Sequence, residues 1–332
     1  KVSTNLWMGD YNKKPKDNQD GLIDFKELAG NSTGIKRLAV MRADVDSLGD
    51  VFKKGFTDNI GTLSRYTTLS RQLSLFFKHY INKVCKSETQ GVDGENVSAC
   101  CLTGKDKEDD KNLVIVYSGG DDLFVVGAWD DVLDFAVDLR ESFRKYTCKK
   151  LTFSAGIAFF NPSFPIYQMA HATAQLEDLA KAYPDKHKPT KDAISLFGVD
   201  KSVKEKHEIG QHTYHWDEFT NGVKPMLDYF LDNFILENYS ADSSHLKIKL
   251  SKSFLYKLLD LLEKADQKIN LARLAYLMAR MDGNNDQYLQ LKINKLKDDI
   301  YNWALNPNQR RHLLTAVNLL IYLCREKSLA TV

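Results

Sequence analysis

Two hydrophobic rhythms divide this chain. Up to about residue 198, short runs of β-branched and aromatic residues alternate with stretches whose apolar positions recur every three or four residues. Beyond it only the helical rhythm continues. The short runs lie at 37–46, 113–117, 123–127, 151–159 and 193–197, and each predicts a strand. Periodic stretches over 64–85, 130–146 and 166–182 predict helices. In the first of these, Leu69, Leu73, Phe76, Phe77, Tyr80 and Val84 form one stripe, which reads as core. Between 113–117 and 123–127, Gly119 and Gly120 supply the freedom for φ > 0 that a two-residue hairpin needs. The turn is therefore placed on these two glycines, with Asp121 and Asp122 emerging just past it.

Two adjacent acids at the mouth of an apolar hairpin repel each other unless a cation lies between them. The run at 37–46 also ends in acids, Asp44 and Asp46. The predicted order fits an α+β fold with a βαββαβ, ferredoxin-like sheet, in which the first strand lies beside the third. That neighbourhood carries Asp44 to the edge occupied by Asp121 and Asp122. Carboxylate oxygens are hard ligands suited to Mg²⁺ or Mn²⁺, and three of them can hold the two ions of a nucleotidyl-transfer site. Past Asp44, Val45, Asp46 and Ser47 lead into a helix start, whose free N–H groups suit phosphate oxygens. Ser47 reads equally well as a plain helix cap, and Asp46 as an acid at a helix start.

The run Arg42, Ala43, Asp44, Val45, Asp46, Ser47, Leu48, Gly49, and the run from Tyr117 through Ser118, Gly119, Gly120, Asp121 and Asp122 to Phe124, carry a resemblance. Together they resemble the polymerase/cyclase-like large subunit of type III CRISPR effector complexes, most closely the Csm (III-A) branch. The motifs cover 37–198, with looser similarity to the C-terminus. The resemblance implies a Gly-Gly-Asp-Asp palm that turns ATP into cyclic oligoadenylates with two metal ions once target RNA is bound. It implies Asp44, Asp121 and Asp122 as catalytic metal ligands, and nucleotide contacts from Val45, Asp46, Ser47, Ser118, Gly119 and Gly120. Lys181 and Lys191 stand where related cyclases clamp the triphosphate, although each of them, like Lys188, also reads as one cation of a solvated basic loop. Implied partners are other Csm subunits, among them the one capping the 5′ end of the guide RNA and the small helical subunit, together with guide and target RNA. Family members carry an upstream His-Asp nuclease domain, a first palm and a zinc-binding insertion. No His-Asp dipeptide and no C-x-x-C pair occur here, so DNA cleavage is not carried over.

The remaining stretches sharpen the domain picture. Residues 1–34 read as a linker or the remnant of an upstream domain, and a calcium-loop-like run at 16–27 fails because Lys16 fills its first ligand position. Residues 35–200 read as the palm, 86–111 as an exposed polar insertion, and 198–211 as the boundary. From 210 to 332 a helical bundle is expected, with helices at 217–239, 252–265, 269–281, 286–305 and 309–326. There Leu255, Leu258, Leu259 and Leu262 line one face, and Leu271, Leu274, Leu277 and Met278 another. From 241 onward 15 Lys/Arg face 9 Asp/Glu, a bias that suits RNA or an acidic partner and equally an ordinary solvated surface. His171, among alanines, reads as a packed or surface residue. A net charge of +2 selects no partner class by itself, no apolar run approaches a membrane span, and a start at Lys1 fits a piece of a longer protein. Five cysteines without a C-x-x-C pair fit the reducing cytoplasm. Two other functions stay open: a stand-alone nucleotide cyclase of the diguanylate type, and a silent palm scaffold for guide RNA. The Gly-Gly-Asp-Asp-Leu turn speaks against the first, and retention of three mutually repelling acids against the second.

Overall fold

The computed structural model describes residues 8–15, 21–56, 61–86, 102, 110–184, 190–198, 212–236, 248–281 and 287–325. Residues 1–7, the 16–20 part of the calcium-loop-like run, Lys188, most of the 86–111 insertion and residues 199–211 lie outside them. The chain divides into two units, one built mainly from residues up to Trp216 and one mainly from Asp217 onward.

The first unit is a six-stranded sheet flanked by helices. Its strands are β1 (Leu38–Val45), β2 (Leu113–Gly119), β3 (Asp122–Ala128), β4 (Phe153–Phe160), β5 (Ala193–Phe197) and β6 (Thr213–His215), in spatial order β2-β3-β1-β4-β5-β6. The first four reproduce the βαββαβ order, with β1 antiparallel to both β3 and β4, and β5 joins parallel to β4 after a crossover. Its helices are α1 (Phe25–Gly30), α2 (Leu48–Lys54), α3 (Leu63–Leu75), α4 (Ile81–Cys85), α5 (Trp129–Tyr146) and α6 (Ile166–Lys181). Alternation along β1 sorts its side chains. Leu38 and Val40 pack with Val126 and with Met169 of α6, while α5 also packs on β1, β3 and β4. Such fully buried aliphatic side chains each contribute roughly 1.5–3 kcal/mol.

Three features depart from expectation. Residues 21–32, read as linker, close the core: Ile23, Leu28 and Ala29 are buried against Leu38 and Val40, and Asp24 caps α1 by accepting from the Glu27 amide. The apolar residues of this stretch, Leu22, Ile23, Phe25, Leu28 and Ala29, follow a long polar run and span too short a segment to register as a periodic signal, yet Ile23, Leu28 and Ala29 complete the face beside α6. The 64–85 helix is interrupted by a π turn at Phe76–Tyr80, which buries the neighbours Phe76 and Phe77 together against Phe143 of α5. The sheet also gains β6, whose Trp216 neighbour donates its indole N–H to the Phe153 carbonyl at 3.0 Å.

The second unit contains α7 (Trp216–Glu218, shared with the end of the first), a π turn at Phe219–Val223, α8 (Lys224–Asn233), α9 (Lys252–Glu263), α10 (Lys268–Ala279), α11 (Gln287–Leu305) and α12 (Pro307–Cys324). Leu255, Leu258, Leu262, Leu274 and Met278 are buried, as their spacing predicts. The helix expected over 217–239 instead ends at Asn233. There the chain extends into β7 (Phe234–Leu236), which pairs parallel with β8 (Ile248–Leu250). The bundle therefore carries a small ribbon. Among the described residues no helix is long and apolar enough to cross a membrane.

Candidate active site: an acidic edge with a lysine

The β1–β3 register places Asp44 directly opposite Asp122. The hairpin that brings them together turns one residue later than the glycine pair implied. Gly119 pairs with Asp122, so Gly120 and Asp121 are the two turn residues. Gly120 has φ 65° and Asp121 is not left-handed, the signs of a type II′ turn with glycine at its first central position. Asp121 is thus in the turn itself. Each of Asp44, Asp121 and Asp122 offers a carboxylate oxygen, and these atoms all lie within 4.8 Å of one another. Burial, followed by the charges of Asp44 and Asp121, pushes the Asp122 carboxyl above the usual carboxylate range. A cluster that resists ionising fully by itself is matched to a cation of hard character, and the donor set fits Mg²⁺ or Mn²⁺.

Lys181, in the last turn of α6, meets this edge. Its Nζ lies 2.6 Å from Asp44 Oδ2 and 2.6 Å from Glu177 Oε1. Burial pulls the lysine pKa down, but its bonds to Asp44 and Glu177 outweigh that and raise it, so it stays an ammonium.

The other predicted contacts are placed differently. The Val45 and Asp46 amides are spent on the carbonyls of Asp121 and Thr152, at 3.2 and 2.9 Å, so neither is the free helix-start donor that the sequence implied. Asp46 points into the protein. It is 6% exposed and accepts from Ser154 Oγ, Thr152 Oγ1 and the Asp192 amide at 2.8, 2.8 and 2.9 Å. Burial still holds its pKa up against those bonds. Asp46 ties β1 to the segment before β5, beside Lys191, whose charge favours the Asp46 carboxylate. Ser47 is left-handed, with φ 54°, and its side chain makes no cap bond. Ser118 Oγ donates to the Phe77 carbonyl at 2.6 Å, securing the hairpin to the π turn. A Cβ placed at Gly120 would meet nothing within 4 Å, so the surface over the turn is open. His171 is exposed.

Two residues at this edge were given no role by the sequence reading, Arg42 and Glu177. Both carried a signal. Arg42 is a cation inside an apolar strand, and Glu177 adjoins the buried stripe of Met169, Thr173, Leu176 and Ala180 on α6.

Comparison with known proteins then assigns the architecture. Residues 37–194 match the family model for the Cas10/Cmr2 second palm domain, and residues 234–326 that for the second helical domain of the Cmr2 subunit of the CRISPR RNA silencing complex. The chain belongs to the Cas10/Cmr2 family. Two curated relatives, both named CRISPR system single-strand-specific deoxyribonuclease Cas10/Csm1 of subtype III-A, extend the match. The one from Mycobacterium tuberculosis is 34% identical over 335 residues, covering 98% of this chain and 35% of the relative. The one from Enterococcus italicus is 35% identical over 328 residues, covering 97% and 35%. This chain accordingly spans about a third of the length of those Cas10/Csm1 proteins. Among solved structures, a Csm1–Csm4 cassette in complex with one ATP superposes with a TM-score of 0.65 at 26% identity, over 97% of this chain and 40% of that one. A Csm1–Csm4 cassette in complex with cA4 gives 0.66 at 25% identity, over 96% and 41%. The palm followed by a helical domain is thus the Cas10/Csm1 arrangement.

Proposed function

We propose that this chain is the palm and helical part of the large subunit of a cytoplasmic type III-A CRISPR effector complex, and that its acidic edge joins ATP into cyclic oligoadenylates when target RNA is bound. The observation that carries the reading is the convergence of Asp44, Asp121 and Asp122, with Lys181 beside them. The similar Csm1–Csm4 structures with ATP and with cA4 support the choice of nucleotide. In this reading Asp44, Asp121 and Asp122 hold two Mg²⁺ or Mn²⁺ ions. When bound, such ions lower the pKa of an attacking hydroxyl and offset triphosphate charge. The chain's own residues do the rest. The open turn at Gly120 leaves room for a nucleotide, Lys181 turns its ammonium to the phosphates, and the Asp46 clamp fixes the end of β1 from which Asp44 projects. In the bond-forming step the 3′-hydroxyl oxygen of one ATP attacks the α-phosphorus of another. The α–β bridging bond breaks, pyrophosphate leaves, and the hydroxyl proton passes to solvent. The proposed partners are the Csm subunit at the guide 5′ end, the small helical subunit, and guide and target RNA. The deoxyribonuclease activity in the relatives' names belongs to proteins about three times as long and is not assigned to this edge. The test is product analysis after each of the four nucleoside triphosphates is incubated with the assembled complex and target RNA complementary to the guide. Oligomers from ATP alone are expected, and consumption of GTP into a cyclic dinucleotide would favour the diguanylate-cyclase reading.

A further inference from the structure

Resting on that reading, we infer that Glu177 is the positioning residue for the phosphate-facing lysine: an acid buried between two cations that aims Lys181 along the acidic edge. Its side chain is only 4% exposed, yet both its oxygens are taken by charged partners. Oε2 accepts from Arg42 Nε at 2.7 Å and Oε1 from Lys181 Nζ at 2.6 Å. Four charges therefore run in a line of alternating sign, Arg42, Glu177, Lys181 and Asp44, ending on the cluster. A buried carboxylate is costly unless its partners satisfy it, and this one is satisfied twice.

The backbone is shaped to permit it. Gly156 of β4 pairs with Arg42 of β1 in register, so the two share a face. A Cβ at Gly156 would sit 2.4 Å from the Glu177 amide nitrogen and 2.6 Å from the Thr173 carbonyl. With no side chain there, α6 lies directly on the sheet, and Glu177 reaches across to Arg42. The geometry gives the lysine a fixed second partner. When Asp44 turns its charge to a cation, Glu177 still holds the ammonium in place, and Lys181 does not swing into solvent. A long flexible side chain held this way loses little further rotamer entropy when a phosphate arrives.

The experiment has two arms on the 332-residue chain. In the first, lysine side chains are labelled with ¹⁵N and the nucleotide-free protein, with Mg²⁺ added so that Asp44 turns to the cation, is observed by NMR. A Lys181 ammonium resonance, assigned by its absence in Lys181→Ala, is expected in the wild type and lost in Glu177→Gln. The second arm titrates ATP with Mg²⁺, and adenosine, into both. Glu177→Gln should weaken ATP about tenfold, the scale of one charge-assisted hydrogen bond, and leave adenosine unchanged. On the Lys181→Ala background Glu177→Gln should add nothing, because it acts through the lysine. Arg42→Gln, which keeps the acid but removes its other partner, should weaken ATP in the same sense by less and guards against misfolding of the first variant. An unchanged Lys181 resonance in Glu177→Gln, or an undiminished effect of that variant without Lys181, overturns the proposal. A held lysine in a chain that binds ATP no better than adenosine would keep the positioning and overturn the nucleotide reading instead.

Discussion

Three carboxylates on one edge make a trade between stability and chemistry. Asp122 is pushed above the usual carboxylate range by burial and by Asp44 and Asp121, so the folded chain holds its proton more tightly than the unfolded chain does. The stability this gives is fully present below the unfolded value of about 4 and is lost as pH rises through the folded pKa. The melting temperature of the metal-free chain should therefore fall as pH rises from about 4, less steeply in Asp122→Asn, and Mg²⁺ should oppose the fall. A slope identical in wild type and variant would contradict the repulsion. Replacing both Asp121 and Asp122 by Ala should leave the metal-free fold at least as stable while ending nucleotide transfer. Asp46 predicts the opposite. Asp46→Ala strands three donors and should cost about 1–3 kcal/mol in urea denaturation, the penalty of buried unsatisfied groups. The three acids of the edge were legible because two adjacent carboxylates beside an apolar hairpin, and another at the end of an apolar strand, repel one another unless a cation lies between them. The inward aim of Asp46 was not legible, because its three donors come from residues 106 to 146 positions away.

At the scale of elements, the site depends on how closely α6 approaches β4. Gly156→Ala puts a Cβ against backbone at 2.4 Å, where no side chain can give way, so helix or strand must move. We expect a loss of about 1–3 kcal/mol of stability from this overpacking. Weaker ATP binding should accompany it, because Glu177 and Lys181 ride on the displaced helix. A variant of full stability and unchanged affinity would count against the close contact. The long elements followed from the sequence in two ways: β1 to β5 from short β-branched and aromatic runs, and α5 and α6 from apolar positions recurring every three or four residues. The short ones did not. β6, β7 and β8 are three residues each, and only pairing with distant chain defines them. The turn was misplaced by one residue because either glycine can take a positive φ, and the choice is made by the β1–β3–β2 register.

As a whole, the described residues form one palm, while the family to which the chain belongs includes proteins about three times as long, whose second palm and second helical domains are the parts matched here. In the proposed assembly the first palm that family members carry completes the nucleotide pocket; without it the attacking hydroxyl is left unplaced, and a misplacement near 1 Å costs on the order of a hundredfold in rate. Isolated, the chain should be nearly inactive with ATP and Mg²⁺. The measurement that bears most directly on the proposed activity is product analysis with ATP and Mg²⁺, comparing the isolated chain with the assembled complex, with and without target RNA complementary to the guide. Cyclic oligoadenylates and pyrophosphate should form only in the complex, only with target RNA, and not when Asp121 and Asp122 are both replaced by Ala. Robust, RNA-independent synthesis by the isolated chain, or full activity in that double variant, would contradict the account.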